Sequence, residues 1–203
     1  VSSVVLLSGG IDSAVAMRVA MRHSRIVFAI TYTYGQLHAD RELQAARDIA
    51  GHYDVQHRHI DLTPVYQPQS ALTGHGVLPT SHATEPDSTY VPARNLIMLA
   101  IAVANAEQHG ARSVVIGVNA DDRAGYVDCR PEFIDAMDCA ARNGTSNKVS
   151  VWAPLIRMSK PAIHQWAESL RIPKGMTWSC YRGGETPCGR CGACESNDIG
   201  QQP

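Results

Sequence analysis

The chain switches repeatedly between short unbroken apolar runs and longer stretches in which apolar residues return every three or four positions. "SVVLL" (3–7), "RIVFAITYT" (25–33), "SVVIGV" (113–118) and "KVSVWAP" (148–154) belong to the first kind and predict strands, the first and third of them buried on both faces. "VQHRHIDL" (55–62) alternates like a strand. Between them, "DSAVAMRVAMR" (12–22), "ADRELQAARDIAGHY" (39–53), "ARNLIMLAIAVANAEQHG" (93–110), "RPEFIDAMDCAARNG" (130–144) and "SKPAIHQWAESLR" (159–171) carry helical periodicity. The punctuation agrees: Gly110 stops one helix, Pro131 and Gly144 bracket another, and Ser159 as N-cap with Pro161 opens the last. Strand and helix alternate about five times, which predicts an α/β fold with a doubly wound, mainly parallel five-stranded sheet. This domain spans 1–171, and 172–203 forms a separate C-terminal segment ending in the polar tail "SNDIGQQP", expected to be disordered. Residues 63–90 hold four prolines and two glycines without a period, the kind of long loop that is usually functional.

A length of 203 residues allows one ordinary domain with a small appendage. Net charge is −1, which leaves no basic footprint for a nucleic-acid backbone or an anionic membrane. No apolar run approaches the ~20 residues that span a bilayer. "VSSVVLLSGG" lacks a signal peptide's basic region, so a cytoplasmic protein is expected, with an initiator or a few residues missing before Val1.

Chemistry first enters at "LLSGGIDSA", residues 6–14. A glycine turn after a first strand and before a first helix lets backbone N–H groups approach an anion, and the helix N-terminus adds partial positive charge. Leu7, Ser8, Gly9, Gly10, Ile11, Asp12, Ser13 and Ala14 are therefore candidates for phosphate binding. The loop lacks the lysine of a Walker A motif and the third glycine of a dinucleotide fingerprint. A plain strand–helix turn capped by Asp12 is the structural alternative.

Six cysteines change the picture by their placement. Cys180, Cys188, Cys191 and Cys194 have the spacing C-x₇-C-x₂-C-x₂-C. Four thiolates suit a tetrahedral structural Zn²⁺, with an iron–sulfur cluster as the rival. Without metal the segment should be unfolded, since binding free energy of roughly 10–16 kcal/mol is its folding energy. Cys129 and Cys139 read as core thiols, and His57 and His59 as surface residues without partners.

Ser-Gly-Gly-x-Asp-Ser after a first strand resembles the PP-loop of the ATP pyrophosphatases. "YGQLH" (34–38), "YVPARN" (90–95), "GVNADDRAGYVDCRPEF" (117–133), "APLIRMSKPAI" (153–163), "TWSCY" and "CGRCGAC" extend the likeness to the 7-cyano-7-deazaguanine (preQ0) synthase family, over about residues 2–195. The resemblance implies an adenine-nucleotide alpha-hydrolase-like fold. It also implies an ATP-dependent ligase that joins ammonia to 7-carboxy-7-deazaguanine through an adenylate and an amide, releasing AMP and pyrophosphate. Homodimers, Mg²⁺ with ATP, and ammonia from solution or a partner are implied as well. Carried onto this chain, Asp12, Ser13, Arg94, Lys160 and Arg130 are the catalytic candidates, with Asp12 helping to hold Mg²⁺. Tyr34, Gln36, Asn95, Asn119, Asp128 and Arg130 are the candidates for substrate contacts.

The chain departs from the family pattern at Ala93, where glycine is usual, and at Arg123 and Val127, where an aromatic and a proline are usual. These changes keep two alternatives open. One is a homologue with the same adenylating chemistry that stops at the amide or conjugates a deazaguanine to a protein amine. The other is a non-catalytic zinc-ribbon module that binds RNA.

Overall fold

The computed structural model describes residues 1–67, 69–80 and 86–198. Five parallel strands, β1 (Ser2–Leu6), β2 (Arg25–Thr33), β3 (His57–Asp61), β4 (Ser113–Val115) and β5 (Ser150–Trp152), form one sheet in the order β3-β2-β1-β4-β5. The helices are α1 (Ile11–Ala20), α2 (Ala39–His52), α3 (Pro86–Thr89), α4 (Arg94–Gln108), α5 (Pro131–Gly144), α6 (Lys160–Ser169) and α7 (Gly192–Asp198). Among the described residues no helix is long and apolar enough to cross a membrane.

The central strand shows why its run is apolar throughout. Val4 and Leu6 pack with Phe28, Ile30, Leu99 and Val114 on one face of the sheet. Val5 and Leu7 pack with Met17, Ile49, Val115 and Ile163 on the other. Helices α4 and α5 cover the first face and α1, α2 and α6 the second, so both sets of side chains leave water. From β1 the chain winds outward to β2 and β3, then returns to place β4 on the other side of β1. This reversal opens a crevice at the carboxyl ends of β1 and β4, where open α/β sheets bind ligands.

Three local expectations are corrected. The runs 113–118 and 148–154 form ladders of only three residues each, because past Val115 the chain turns into the crevice wall while Ile116 and Val118 stay buried. An apolar run does not by itself distinguish a buried strand from a buried loop. Ser159 occupies the N-cap position of α6 but makes no side-chain cap; Asp121 Oδ2 accepts the Lys160 N–H at 2.7 Å instead. The polar tail is helical through Asp198 rather than irregular, and its last residues, 199–203, lie outside the described residues. Within the stretch 63–90, short helical turns form at Thr63–Val65 and Ala71–Thr73.

Candidate active site and metal centre

The loop after β1 organises itself through its own hydroxyls. Ser13 Oγ donates to the Gly10 carbonyl at 2.9 Å and accepts from the Ser8 N–H at 3.2 Å. Ser8 Oγ donates to Ser13 Oγ at 3.2 Å and accepts from the Gly10 N–H at 3.3 Å. Gly10 is the N-cap of α1, so the loop curls around a helix N-terminus that favours an anion. Gly9 has a second reason to be glycine: at φ +90° it lies against α2, where a Cβ would sit 2.4 Å from the Glu42 carbonyl oxygen.

This loop forms one wall of a cavity of about 260 Å³. Lys160, at the start of α6, pairs with Asp12 Oδ2. Burial works to discharge the ammonium, but Asp12 and Asp122 hold it protonated, above its ordinary range. Asn119 ties the region together. Its Nδ2 donates to Asp122 Oδ2 at 2.6 Å and weakly to Asp12 Oδ2 at 3.4 Å, while its Oδ1 accepts the N–H groups of Asp121 and Asp122. Asp12 Oδ1 is buried without a hydrogen-bond partner. An orphaned carboxylate oxygen beside an anion loop is the hard donor that Mg²⁺ takes, so the residues present fit that ion.

Across the cavity, Arg94 opens α4 and donates to the Tyr34 hydroxyl at 3.0 Å. Burial opposes its charge, but Tyr34, Cys129 and Asp128 stabilise the guanidinium. The preceding residue, Ala93, is held in the left-handed region at φ 54°, which explains why a glycine suits this position. Asp128 Oδ2 accepts the Asn95 N–H at 3.0 Å and caps α4, and Asn95 Nδ2 donates to the Asp128 carbonyl at 3.1 Å. Burial raises the Cys129 thiol well above its usual range, with Asp122 and Asp128 adding to the effect, so it stays a packed thiol beside Asn95.

The candidates therefore divide. Leu7, Ser8, Gly10, Ile11, Asp12, Ser13, Tyr34, Arg94, Asn95 and Lys160 line the cavity. Gly9 and Ala14 support the loop from behind, and Asn119 and Asp128 are buried positioning groups. Gln36 is also buried: its Oε1 accepts the Tyr34 N–H at 2.7 Å, and its Nε2 donates to Glu42 Oε2 at 3.0 Å. Arg130 is exposed at the start of α5, its Nε reaching the Arg123 carbonyl at 3.3 Å, and it does not line the cavity. Cys139 is exposed rather than core, because it sits on the solvent side of α5. His57 and His59 do have partners: their Nε2 atoms meet the hydroxyls of Thr31 at 2.7 Å and Thr33 at 2.8 Å.

Sequence pattern singles out none of His38, Glu42, Trp178 and Tyr181 as individual residues, yet all four line the cavity. The last two come from the cysteine segment. The Trp178 N–H donates to the Gly9 carbonyl at 2.9 Å, and the Tyr181 carbonyl meets His38 Nδ1 at 3.1 Å. Gly183, at φ +65°, packs so closely that a Cβ would lie 2.4 Å from the Leu37 carbonyl oxygen. The segment is thus pressed against both the glycine loop and the start of α2.

In that segment the Sγ atoms of Cys180, Cys188, Cys191 and Cys194 all lie within 4.8 Å of one another. A tetrahedron with Zn–S bonds near 2.3 Å has edges of about 3.8 Å, and the Cys188–Cys194 separation is 4.0 Å. The donor set fits one thiophilic ion such as zinc. Burial opposes ionisation of the Cys188 thiol, but N–H groups of Arg190 and Cys191 and the neighbouring thiols bring it down to about 6.

Comparison with known proteins places this architecture. The sequence matches the family described as "Queuosine biosynthesis protein QueC" over residues 2–202. It is 41% identical over 208 residues to a 7-cyano-7-deazaguanine synthase of Synechococcus sp. (strain CC9902), covering 97% of this chain and 91% of the relative. It is also 41% identical over 202 residues to a 7-cyano-7-deazaguanine synthase of Thermoplasma acidophilum, covering 95% and 84%. Among solved structures, NMN synthetase from Francisella tularensis superposes with a TM-score of 0.57 at 19% identity, covering 99% of this chain and 78% of that one. The U34-tRNA thiolase NcsA from Methanococcus maripaludis with its [4Fe-4S] cluster gives 0.56 at 18%, covering 98% and 65%. These two likenesses establish the shared fold. The two relatives and the full-length match establish more: the chain belongs to the QueC family of queuosine biosynthesis proteins.

Proposed function

We propose that this protein converts 7-carboxy-7-deazaguanine and ammonia to 7-cyano-7-deazaguanine, consuming ATP and releasing AMP and pyrophosphate. The observation that carries the reading is the hydroxyl-laced glycine loop at the α1 N-terminus, facing Lys160 and Arg94 across one cavity.

The substrate carboxylate attacks the ATP α-phosphorus, and the bond to pyrophosphate breaks. Ammonia then adds to the acyl carbon and AMP leaves, giving the amide. A second ATP activates the amide oxygen, and loss of that oxygen on AMP leaves the nitrile. The N–H groups around Gly9 and Gly10 and the hydroxyls of Ser8 and Ser13 hold the departing pyrophosphate. Lys160, kept charged by Asp12, and Arg94 offset the negative charge that grows as the α-phosphate is attacked. Asp12, whose Oδ1 has no hydrogen-bond partner, would hold Mg²⁺, which would neutralise phosphate charge. The four cysteines would hold a structural zinc, which would fix Trp178 and Tyr181 in the wall.

The same reading makes the protein a cytoplasmic homodimer that takes ammonia from solution or a partner and needs no nucleic acid; sedimentation and an RNA-binding titration at low salt check these points. Arg130, exposed and outside the cavity lining, takes no step in this reading. The function is tested by mass spectrometry of the products formed from ATP, Mg²⁺, ammonium and 7-carboxy-7-deazaguanine. The nitrile with AMP is expected. Accumulation of amide alone, or AMP without a new small molecule, would move the endpoint to one of the alternatives.

A further inference from the structure

The cavity holds two cations suited to anionic groups, and one acidic side chain, Glu42, that neither of them neutralises. Glu42 rises from the first turn of α2, and its carboxylate is fixed from behind. Oε2 accepts from Gln36 Nε2 at 3.0 Å, and Gln36 is itself anchored to the backbone of Tyr34 and Tyr32. The other neighbour is His38, whose Nε2 lies 3.7 Å from Oε1. The Tyr181 carbonyl takes the proton of His38 Nδ1, so in the neutral ring Nε2 carries none and donates nothing to Glu42. Arg41, one residue earlier, is turned over the Trp178 ring. A carboxylate accepts at about four lone-pair sites. Glu42 therefore presents spare acceptor capacity, at a fixed position, to whatever enters the cavity.

Two planar bases enter under the proposed function, and they differ at their edges. The adenine of ATP offers one amino donor flanked by acceptor nitrogens, which would set a lone pair against the carboxylate. A deazaguanine offers N1–H and the 2-amino group side by side, two donors at the spacing of two carboxylate oxygens. From this complementarity we infer that Glu42 is the specificity-determining residue that reads the N1–H and 2-amino edge of the deazaguanine. This assignment rests on the substrate class proposed above. Gln36, His38 and Tyr181 position it, and the aromatic wall of Tyr34 and Trp178 accepts the flat ring.

The test uses the full-length, metal-loaded protein and calorimetric titration with two probes. One is 7-carboxy-7-deazaguanine, the other the same compound without its 2-amino group. A hydrogen bond to a charged group makes the wild type prefer the first by about 10–100-fold. Glu42→Gln, which keeps shape but replaces one acceptor with a donor, should lose that preference towards parity while binding Mg-ATP as before. Glu42→Asp should keep the preference at lower affinity, which separates recognition from a folding defect. A Glu42→Gln protein that still discriminates as the wild type does, or that loses ATP in parallel with the deazaguanine, overturns the assignment. If the wild type binds neither deazaguanine, the functional reading itself fails and takes the assignment with it.

Discussion

Substituting Gly9 by alanine probes the contact on which the glycine loop is built. Two costs combine there. An L-residue at φ +90° is strained by roughly 1–2 kcal/mol, by analogy with the left-handed helical region. The added methyl would also meet the Glu42 carbonyl oxygen at 2.4 Å and the Ala45 Cβ and Ala46 N at 3.0 Å. Backbone atoms cannot swing aside as a flexible side chain can, so overpacking adds about 1–3 kcal/mol. Together Gly9→Ala should destabilise by about 2–5 kcal/mol, which for a domain of this size lowers the melting temperature by on the order of 10 °C. Gly51→Ala is the internal control: it lies in α2, where an added methyl would meet nothing within 4 Å. That change should be neutral or stabilise by about 0.5–1 kcal/mol through helix propensity and a less flexible unfolded chain. Differential scanning calorimetry of the metal-loaded proteins measures both, with ATP affinity as a second readout. If Gly9→Ala melts like the wild type and binds ATP normally, the packing of the loop on α2 is not what selects glycine.

Removing the metal with a chelator should loosen Trp178 and Tyr181, so deazaguanine binding falls sharply while the far-UV circular dichroism of the α/β sheet persists; readdition of zinc should restore binding. Ala93→Gly relieves the left-handed backbone at the start of α4 and should stabilise by about 0.5–1 kcal/mol, read as a rise in melting temperature. Burial lowers His57 below the usual histidine value, with Arg47 and His59 adding to the effect, and burial likewise lowers His164. The unfolded chain takes up these protons near pH 6.5 and the folded chain only below it, so their stability is complete above that value and is lost as pH falls through the folded values. The melting temperature should fall as pH drops below about 6.5, and less steeply in His57→Gln, where one of these protons no longer binds.

What the sequence disclosed and what it hid follow from the range of each interaction. The glycine loop and the four cysteines are local: their residues sit within a short stretch of chain, so spacing alone marked them as candidates. β1 and β4 were legible because burial on both faces demands unbroken apolar runs, and β3 through its alternation. Asp128 and Asn119 stand out for their polarity, but their hydrogen bonds turn inward, to Asn95 and to Asp122, and only the fold shows that. Arg130 follows Cys129 directly, yet the chain turns between them, burying the thiol and leaving the guanidinium at the surface. Glu42 hid in an ordinary amphipathic helix, where an exposed-face glutamate attracts no notice. Its role depends on Gln36, six residues earlier, and on a C-terminal segment more than a hundred residues away.

The central claim is that a carboxylate oxygen attacks the ATP α-phosphorus while the loop from Ser8 to Ser13 holds the departing pyrophosphate. Substrate labelled with heavy oxygen in both carboxylate positions tests it directly, by mass spectrometry of the AMP. The account predicts two AMP per nitrile, each carrying one labelled oxygen, and no labelled AMP from a folded Ser13→Ala protein. ADP with inorganic phosphate, or AMP free of label, would contradict it.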